Sequence, residues 1–401
     1  LVAGPMMPLS QTLLMSSFPR EKAGSALALW GMTTLVAPVA GPLLGGWITD
    51  HISWPWIFYI NVPVGLAAAA VTWSIYRKRE TPVVKRPIDH VGQGLLVLWV
   101  GSLQLMLDKS KELDWFASPV IVGLALTAVI GFAVFIAWEL TDEHPVVDLR
   151  LFAGRNFAVG VAAMSVAYGL FFANLVVLPL WLQQWMAYTS IDAGMSMAPV
   201  GLLAILLTPV VGRKVGDWDP RWMASFAFVM FALVLWLRSQ GTTQMTQWQV
   251  IVPTILQGAA VAFFFIPLTT LLLAGQPPAR LPAAAGLSNF VRITAGAMGT
   301  SISTTLWESR ASLHHAHLTE RLDPGHPVLG AATDLLGQAG LPAPATLAQL
   351  NRMIDQQAFT RAADDIFYLS GWIFLVLIVA VWFTHRPPRV AGASADAGGA
   401  H

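Results

Sequence analysis

The sequence predicts an all-α polytopic membrane protein, and three observations lead there. Hydrophobic residues make up 55% of the 401-residue chain and charged residues only 11%. A typical soluble domain is about 25% charged, so too little polar surface is left to coat a water-soluble body. The apolar residues are gathered into blocks of roughly 18 to 25 residues, the length that crosses about 30 Å of hydrocarbon at 1.5 Å per residue. Within the blocks, apolar and polar residues do not alternate with period two. That excludes a membrane barrel and leaves helices, which satisfy their backbone groups internally.

The same composition removes other classes. With 23 Lys+Arg against 22 Asp+Glu, the net charge is +1, which gives no basic field for a nucleic acid. The chain is too apolar to be disordered. It has no Cys, hence no disulfide, thiolate metal site or Cys nucleophile. No Walker A, GxSxG or HExxH sequence occurs, so an enzyme is not expected and no cofactor is implied. Without ATP, an ion gradient is the remaining source of energy.

In chain order, residues 1–17 read as most of one helix. The chain opens at Leu1 inside an apolar run with no charged leader, so helical sequence is expected upstream. Arg20 and Lys22 close that block, and 24–48 follows, interrupted at Pro38. The block 54–76 stops at Arg77, Lys78, Arg79, Lys85 and Arg86. Blocks 88–107 and 117–140 are separated by Lys109 and Lys111, and Arg150 and Arg155 precede 157–182. Then come 192–215, ended by Arg213 and Lys214; 222–239, ended by Arg238; 249–274, followed by Arg280; 283–307; and, after a long connector at 308–364, the last block 365–385.

Lys and Arg alternate between the two sides. One side carries Arg20, Lys22, the 77–86 cluster, Arg150, Arg155, Arg213, Lys214, Arg221, Arg280, Arg386 and Arg389; short connectors on the other carry only Lys109, Lys111 and Arg238. The first side is therefore expected to be cytoplasmic, with the C-terminus there and 308–364 outside.

Only one charge falls in mid-span, Arg292, and the carboxylates all fall at helix ends or in connectors. A bare Arg at that depth costs a few kcal/mol even on lenient insertion scales. It is held either by backbone carbonyls, as a structural residue, or by an anion or an upstream carboxylate, as a coupling or substrate-path residue together with Asn289. The block 24–48 holds Ala37-Pro38 followed by Gly41-Pro42-Leu43-Leu44-Gly45-Gly46. The small residues allow close helix approach, either as ordinary packing or as a hinge between two rocking halves.

That ordered pattern resembles the antiporter motif of major facilitator superfamily exporters. The resemblance continues through Trp54-Pro55-Trp56-Ile57-Phe58-Tyr59-Ile60-Asn61-Val62-Pro63-Val64-Gly65, Pro145-Val146-Val147-Asp148-Leu149-Arg150-Leu151-Phe152 and Leu287-Ser288-Asn289-Phe290-Val291-Arg292, then Gly296 and Gly299. It covers essentially the whole chain and is most similar to the fourteen-helix drug:proton antiporters. It implies that about eleven of fourteen helices are present. Residues 1–76 would be the remainder of the N-terminal half (helices 4–6) and 77–156 two extra central helices with linkers. Residues 157–307 would be helices 9–13, 308–364 a periplasmic loop, 365–385 helix 14, and 386–401 a disordered cytoplasmic tail. Gly212-Arg213-Lys214-Val215-Gly216-Asp217 is similar to the family's cytoplasmic gate loop, although an ordinary positive-inside loop would look the same.

The resemblance implies proton-driven efflux of hydrophobic drugs across an inner membrane, with a periplasmic adaptor and an outer-membrane channel as partners, and hence antibiotic resistance. No carboxylate lies at a helix centre, so the proton-carrying acid is expected upstream. Aromatic faces with a few polar groups suit an apolar cation or amphiphile; Tyr168, Phe171, Phe172, Asn174, Gln11 and Gln257 are the candidates, each also readable as structural. Trp54, Trp56, Trp181 and Trp185 sit at span ends and read as interfacial belt residues. Of His314, His315 and His317, only the first and last share a helix face, too few for a metal site; a solvated helix extension fits them better. Two alternatives stay open: a dedicated exporter of one amphiphilic anion, such as a fatty acid or siderophore-like acid, and a non-transporting membrane scaffold.

Overall fold

The computed structural model describes residues 10, 13, 41, 44–77, 89–110, 112–113, 115–277, 280–320, 327–338 and 342–386. Among them the regular structure is helical throughout. After a short turn at Trp56–Tyr59 come α1 (Asn61–Tyr76), α2 (His90–Lys109), α3 (Pro119–Thr141), α4 (Arg155–Trp185), α5 (Ser190–Met197), α6 (Val200–Lys214), α7 (Pro220–Arg238), α8 (Gln247–Ala262), α9 (Phe265–Leu273), α10 (Leu281–Glu320), α11 (Pro327–Gln338) and α12 (Ala343–Trp382). Eight of the described helical runs are long and apolar enough to cross a membrane.

Local sequence sets the helix starts. Asp89 caps α2 by accepting from Gly92 N at 2.8 Å. Thr189 and Asp192 form a reciprocal capping box at α5, and Pro119 and Pro220 begin α3 and α7, where a missing N–H costs nothing. Proline also divides two of the expected spans. The block 192–215 breaks between α5 and α6 at Ala198-Pro199. The block 249–274 breaks at Phe263-Phe264, four residues before Pro267, whose ring would collide with the Phe263 carbonyl in an unbroken helix.

The core lies among α4, α7, α8, α9, α10 and α12. Phe231 stacks on Phe374 with ring centroids 4.7 Å apart, and Phe228 and Phe264 complete the cluster. α4 and α10 meet backbone to backbone: a methyl added at Gly299 would lie 2.3 Å from the Gly169 carbonyl. α2 and α3 pack mainly on each other. They reach α10 through Asp108, which accepts from Ser301 Oγ and Gln104 Nε2. α1 buries none of its residues among the described ones.

The 308–364 segment, expected as a loop, is largely helix. α10 and α12 each run for 40 residues, about 60 Å at 1.5 Å per residue and twice the hydrocarbon thickness. Their projecting ends pair. His314 Nε2 lies 2.8 Å from Asp365, His315 Nδ1 lies 2.8 Å from Asp355, and Trp307 donates to the Phe359 carbonyl at 3.0 Å. His314 and His315 thus engage carboxylates across the helix pair instead of standing solvated, and the described residues hold no group of three metal-ligating side chains. Trp181 also departs from the belt reading. It is 2% exposed, inside the core, and donates to Thr360 Oγ1. Trp54 and Trp56 are exposed, as belt residues are.

Candidate functional site

Arg292 is placed by α10, and the groups around it come from α4 and α9. Asn289, one helical turn earlier, shares its face and accepts from Arg292 Nη2 through Oδ1. The guanidinium carbon lies 4.9 Å from the Tyr168 ring centroid and 5.6 Å from that of Phe265. Tyr168 leans on Phe172 at 4.6 Å, and Gly296 leaves room for Tyr168: a methyl there would come within 2.9 Å of its ring. Each ring supplies roughly 0.5 to 2 kcal/mol as desolvation increases. Two rings and a charge-assisted hydrogen bond are therefore of the same order as the insertion cost of a central Arg, about 2.5 to 3.5 kcal/mol. Arg292 Nε is buried with no hydrogen-bond partner among the described residues.

Beside the guanidinium is a small open recess lined by Met164, Thr269, Leu272, Leu273, Ala285, Ser288, Asn289 and Arg292. Met164 of α4 with Leu272 and Leu273 of α9 forms its apolar wall, and Thr269 of α9 with Ser288, Asn289 and Arg292 of α10 its polar one. No carboxylate among the described residues lines it.

The Major Facilitator Superfamily family model matches residues 1–300. The chain belongs to this superfamily. It is 46% identical to the multidrug export protein EmrB of Escherichia coli K12, over all of this chain and 78% of that one. It is 43% identical to the fatty acid resistance protein FarB of Neisseria gonorrhoeae, with the same coverage. A crystal structure of an auto-inhibited POT family peptide transporter shares the fold, with a TM-score of 0.53 at 16% identity over 94% of this chain and 74% of that one. The protein is thus a multi-pass membrane protein of a transporter superfamily.

Within this superfamily member, the structure brings together Tyr168, Phe172, Asn289 and Arg292 from the sequence-derived set. It takes three others elsewhere. Phe171 is buried edge-on to Phe231. Asn174 is buried and donates to the Leu170 carbonyl of its own helix. Gln257 is buried and accepts from Arg238 Nη2 at 2.8 Å, beside a 3.1 Å bond from the same nitrogen to Thr254. Arg238 itself, expected at a span end, turns inward and is only 6% exposed. Gln11, Ala37, Pro38 and Pro42 lie outside the described residues.

Of the motif glycines, Gly41 and Gly45 have open space where a methyl would go, whereas Gly46 is pressed against the Ser190 carbonyl at the start of α5. Asp50 accepts from Ile191 N at 3.3 Å in the same contact. In the gate-loop candidate, α6 runs through Gly212 and Arg213, and Arg213 and Asp217 are exposed. Sequence reading missed Phe265, Thr269 and Ser288. Pro267 was the available signal for Phe265, because the break it causes begins the new helix at that residue.

Proposed function

We propose that this protein exports hydrophobic small molecules across a bacterial inner membrane by alternating access, in exchange for protons. The observation that carries the reading is the half-buried Arg292 with its aromatic cradle and adjoining recess, within a chain 46% identical to a multidrug export protein. Aromatic faces and a few polar groups bind varied apolar compounds without demanding one shape. The contact of Gly46 and Asp50 with the start of α5 supports a role for the antiporter motif in joining the two halves. Gly212, Arg213 and Asp217 serve as the cytoplasmic gate loop in this reading. The Lys/Arg distribution supports a cytoplasmic side for Arg386 and the C-terminus in this reading. The paired outer ends of α10 and α12 then face the periplasm, where an adaptor leading to an outer-membrane channel docks.

Dye retention in energised cells tests transport. Cells making the protein should retain less of a hydrophobic fluorescent dye, and lose the difference when the proton gradient is collapsed. Efflux that persists without the gradient contradicts proton drive. Absence of efflux for cationic, neutral and anionic compounds alike, with the protein correctly inserted, contradicts export.

A second reading is a dedicated exporter of an amphiphilic anion. The 43% identity to a fatty acid resistance protein and the lack of a carboxylate around Arg292 among the described residues favour it. Export restricted to acids in the same panel would select it.

A further inference from the structure

We infer that the corner where α4 and α7 begin and α12 ends is a binding surface for the headgroup of an anionic phospholipid, a phosphatidylglycerol-type phosphodiester being its simplest form. The inference goes beyond export and stands or falls without it. Two reciprocal hydrogen bonds build the corner. Asn156 donates through Nδ2 to the His385 carbonyl at 2.9 Å, and its Oδ1 accepts from His385 N at 2.6 Å. They fasten the start of α4 to the chain leaving α12 and bring the neighbouring residues Arg155 and Arg386 to one place. The Arg155 guanidinium carbon lies 6.0 Å from the Phe383 ring centroid. From α7, Arg221 donates to the Thr384 carbonyl at 3.3 Å, and its guanidinium carbon lies 5.1 Å from the Trp382 ring centroid. Arginines from three helix ends thus gather around residues 382–386.

Their charges do not cancel. Asp219 is shared between Arg221 at 2.9 Å and Arg386 at 3.7 Å. Arg155 pairs with no carboxylate among the described residues. Three guanidiniums against this one carboxylate leave a surplus of two positive charges. The Asp219 side chain is only 12% exposed and that of Arg386 is 46% exposed, so the acid is covered and the cation reaches outward. Guanidinium forks match phosphate oxygens. A zwitterionic headgroup would find the Asp219 carboxylate already taken.

Apolar surface continues from the charges. Trp222 and Trp382 meet edge to face with ring centroids 4.9 Å apart, and Trp382 Nε1 donates to Ser225 Oγ at 3.2 Å. Both indoles are exposed, as tryptophans at a membrane interface are. One and two turns along the same face of α7, Phe226 and Val229 are also exposed, and so is Val379, one turn back along α12. These side chains give an acyl chain a track leading away from the arginines. A free phosphate ion would use the charges and leave the track empty, whereas a phospholipid uses both. In the proposed orientation this is the cytoplasmic end, where anionic headgroups face the protein.

The test is binding of pyrene-labelled phosphatidylglycerol to the purified full chain in detergent micelles, read by energy transfer from tryptophan, with pyrene-labelled phosphatidylcholine as the comparison. Each arginine near a membrane surface is worth roughly fivefold in affinity for an anionic lipid. Phosphatidylglycerol should therefore bind at least about tenfold tighter than phosphatidylcholine. Arg155→Gln and Arg386→Gln should each cut that preference roughly three- to fivefold and together remove it, with phosphatidylcholine binding moved by less than about twofold. Arg77→Gln, an exposed arginine of the same expected membrane side outside this corner, should leave the preference in place. Arg155 makes no hydrogen bond among the described residues, so its variant stands if Arg386→Gln proves unstable.

Equal affinity for the two lipids would overturn the surface, and so would a preference that Arg77→Gln lowers as much as the corner variants do. Excess inorganic phosphate distinguishes the source of the anion. Displacement of the probe by unlabelled phosphatidylglycerol but not by inorganic phosphate at the same concentration supports a lipid headgroup. Equal displacement by the free ion overturns the lipid in favour of phosphate itself.

Discussion

Two arginines inside the bundle solve the same problem with different neighbours. Arg292 is held by two aromatic rings and one amide beside a recess. Arg238 is sealed among Thr254, Gln257 and the core. Different substitutions therefore report on each. Gly296→Ala brings a methyl within 2.9 Å of the Tyr168 ring. The ring must tilt away from Arg292, at a cost of about 1 kcal/mol. Transport is expected to fall roughly fivefold while the melting temperature moves by only a few degrees. An unchanged rate in a vesicle uptake assay would argue that the Tyr168 contact is incidental. Arg238→Ala leaves the Gln257 side-chain oxygen without its partner in the core and opens a void, while Thr254 keeps its bond to the Val250 carbonyl. Stability should drop by about 2 to 4 kcal/mol, seen as a lower melting temperature in detergent. An unaltered melt would contradict a structural role for this residue.

The sequence revealed these two arginines unequally. Arg292 stands alone in mid-span and is conspicuous. Arg238 closes its apolar block, where hydropathy cannot distinguish a side chain reaching water from one folding back onto α8. Gln257 and Asn174 misled for a related reason: a lone amide in an apolar run looks the same whether it lines a cavity or bonds to its own bundle.

At the scale of elements, helix existence was readable and helix ends were less so. Hydropathy marks only the stretch within the hydrocarbon. Residues 308–320 contain no Gly or Pro and simply continue α10 beyond it. α10 itself carries Asn289, Arg292 and a series of Ser and Thr residues, and for that polar content it is not among the eight runs apolar enough to count as spans. The projecting pair of α10 and α12 is the surface proposed for an adaptor. Deleting 320–355 should abolish adaptor co-purification while leaving the helical bundle folded; retained co-purification would move the docking site elsewhere.

At the other end of the bundle, Asp219 caps α7 and pairs with Arg221 at 2.9 Å and Arg386 at 3.7 Å. Burial works against the Asp219 charge, but the hydrogen bonds and charges of Arg221 and Arg386 outweigh it and hold its carboxyl below the usual range. A depressed native value means the contribution is present above the unfolded carboxylate pKa, about 3.9, and is lost as pH falls through the native value. Asp219→Asn should therefore lower stability by about 1 kcal/mol near pH 7 and make little difference at strongly acidic pH. Equal loss at both pH values in thermal melts would contradict the charge argument.

For the whole molecule, the superfamily's fold was legible because the bilayer constrains it so tightly: long apolar blocks, short charged connectors and an ordered Gly/Pro motif. The arrangement of the site was not, since it depends on which faces of α4, α9 and α10 meet, and on the proline break that turns Phe265 towards Arg292. In the proposed function, this arrangement lies on the path along which substrate and protons are exchanged. The most direct test is collapse of a preformed proton gradient in inverted membrane vesicles on adding a hydrophobic substrate, comparing the unaltered protein with Arg292→Ala. The unaltered protein is expected to give dose-dependent collapse, and the substitution to abolish it. Collapse of equal size in the Arg292→Ala vesicles would contradict it, and would leave Arg292 a purely structural residue.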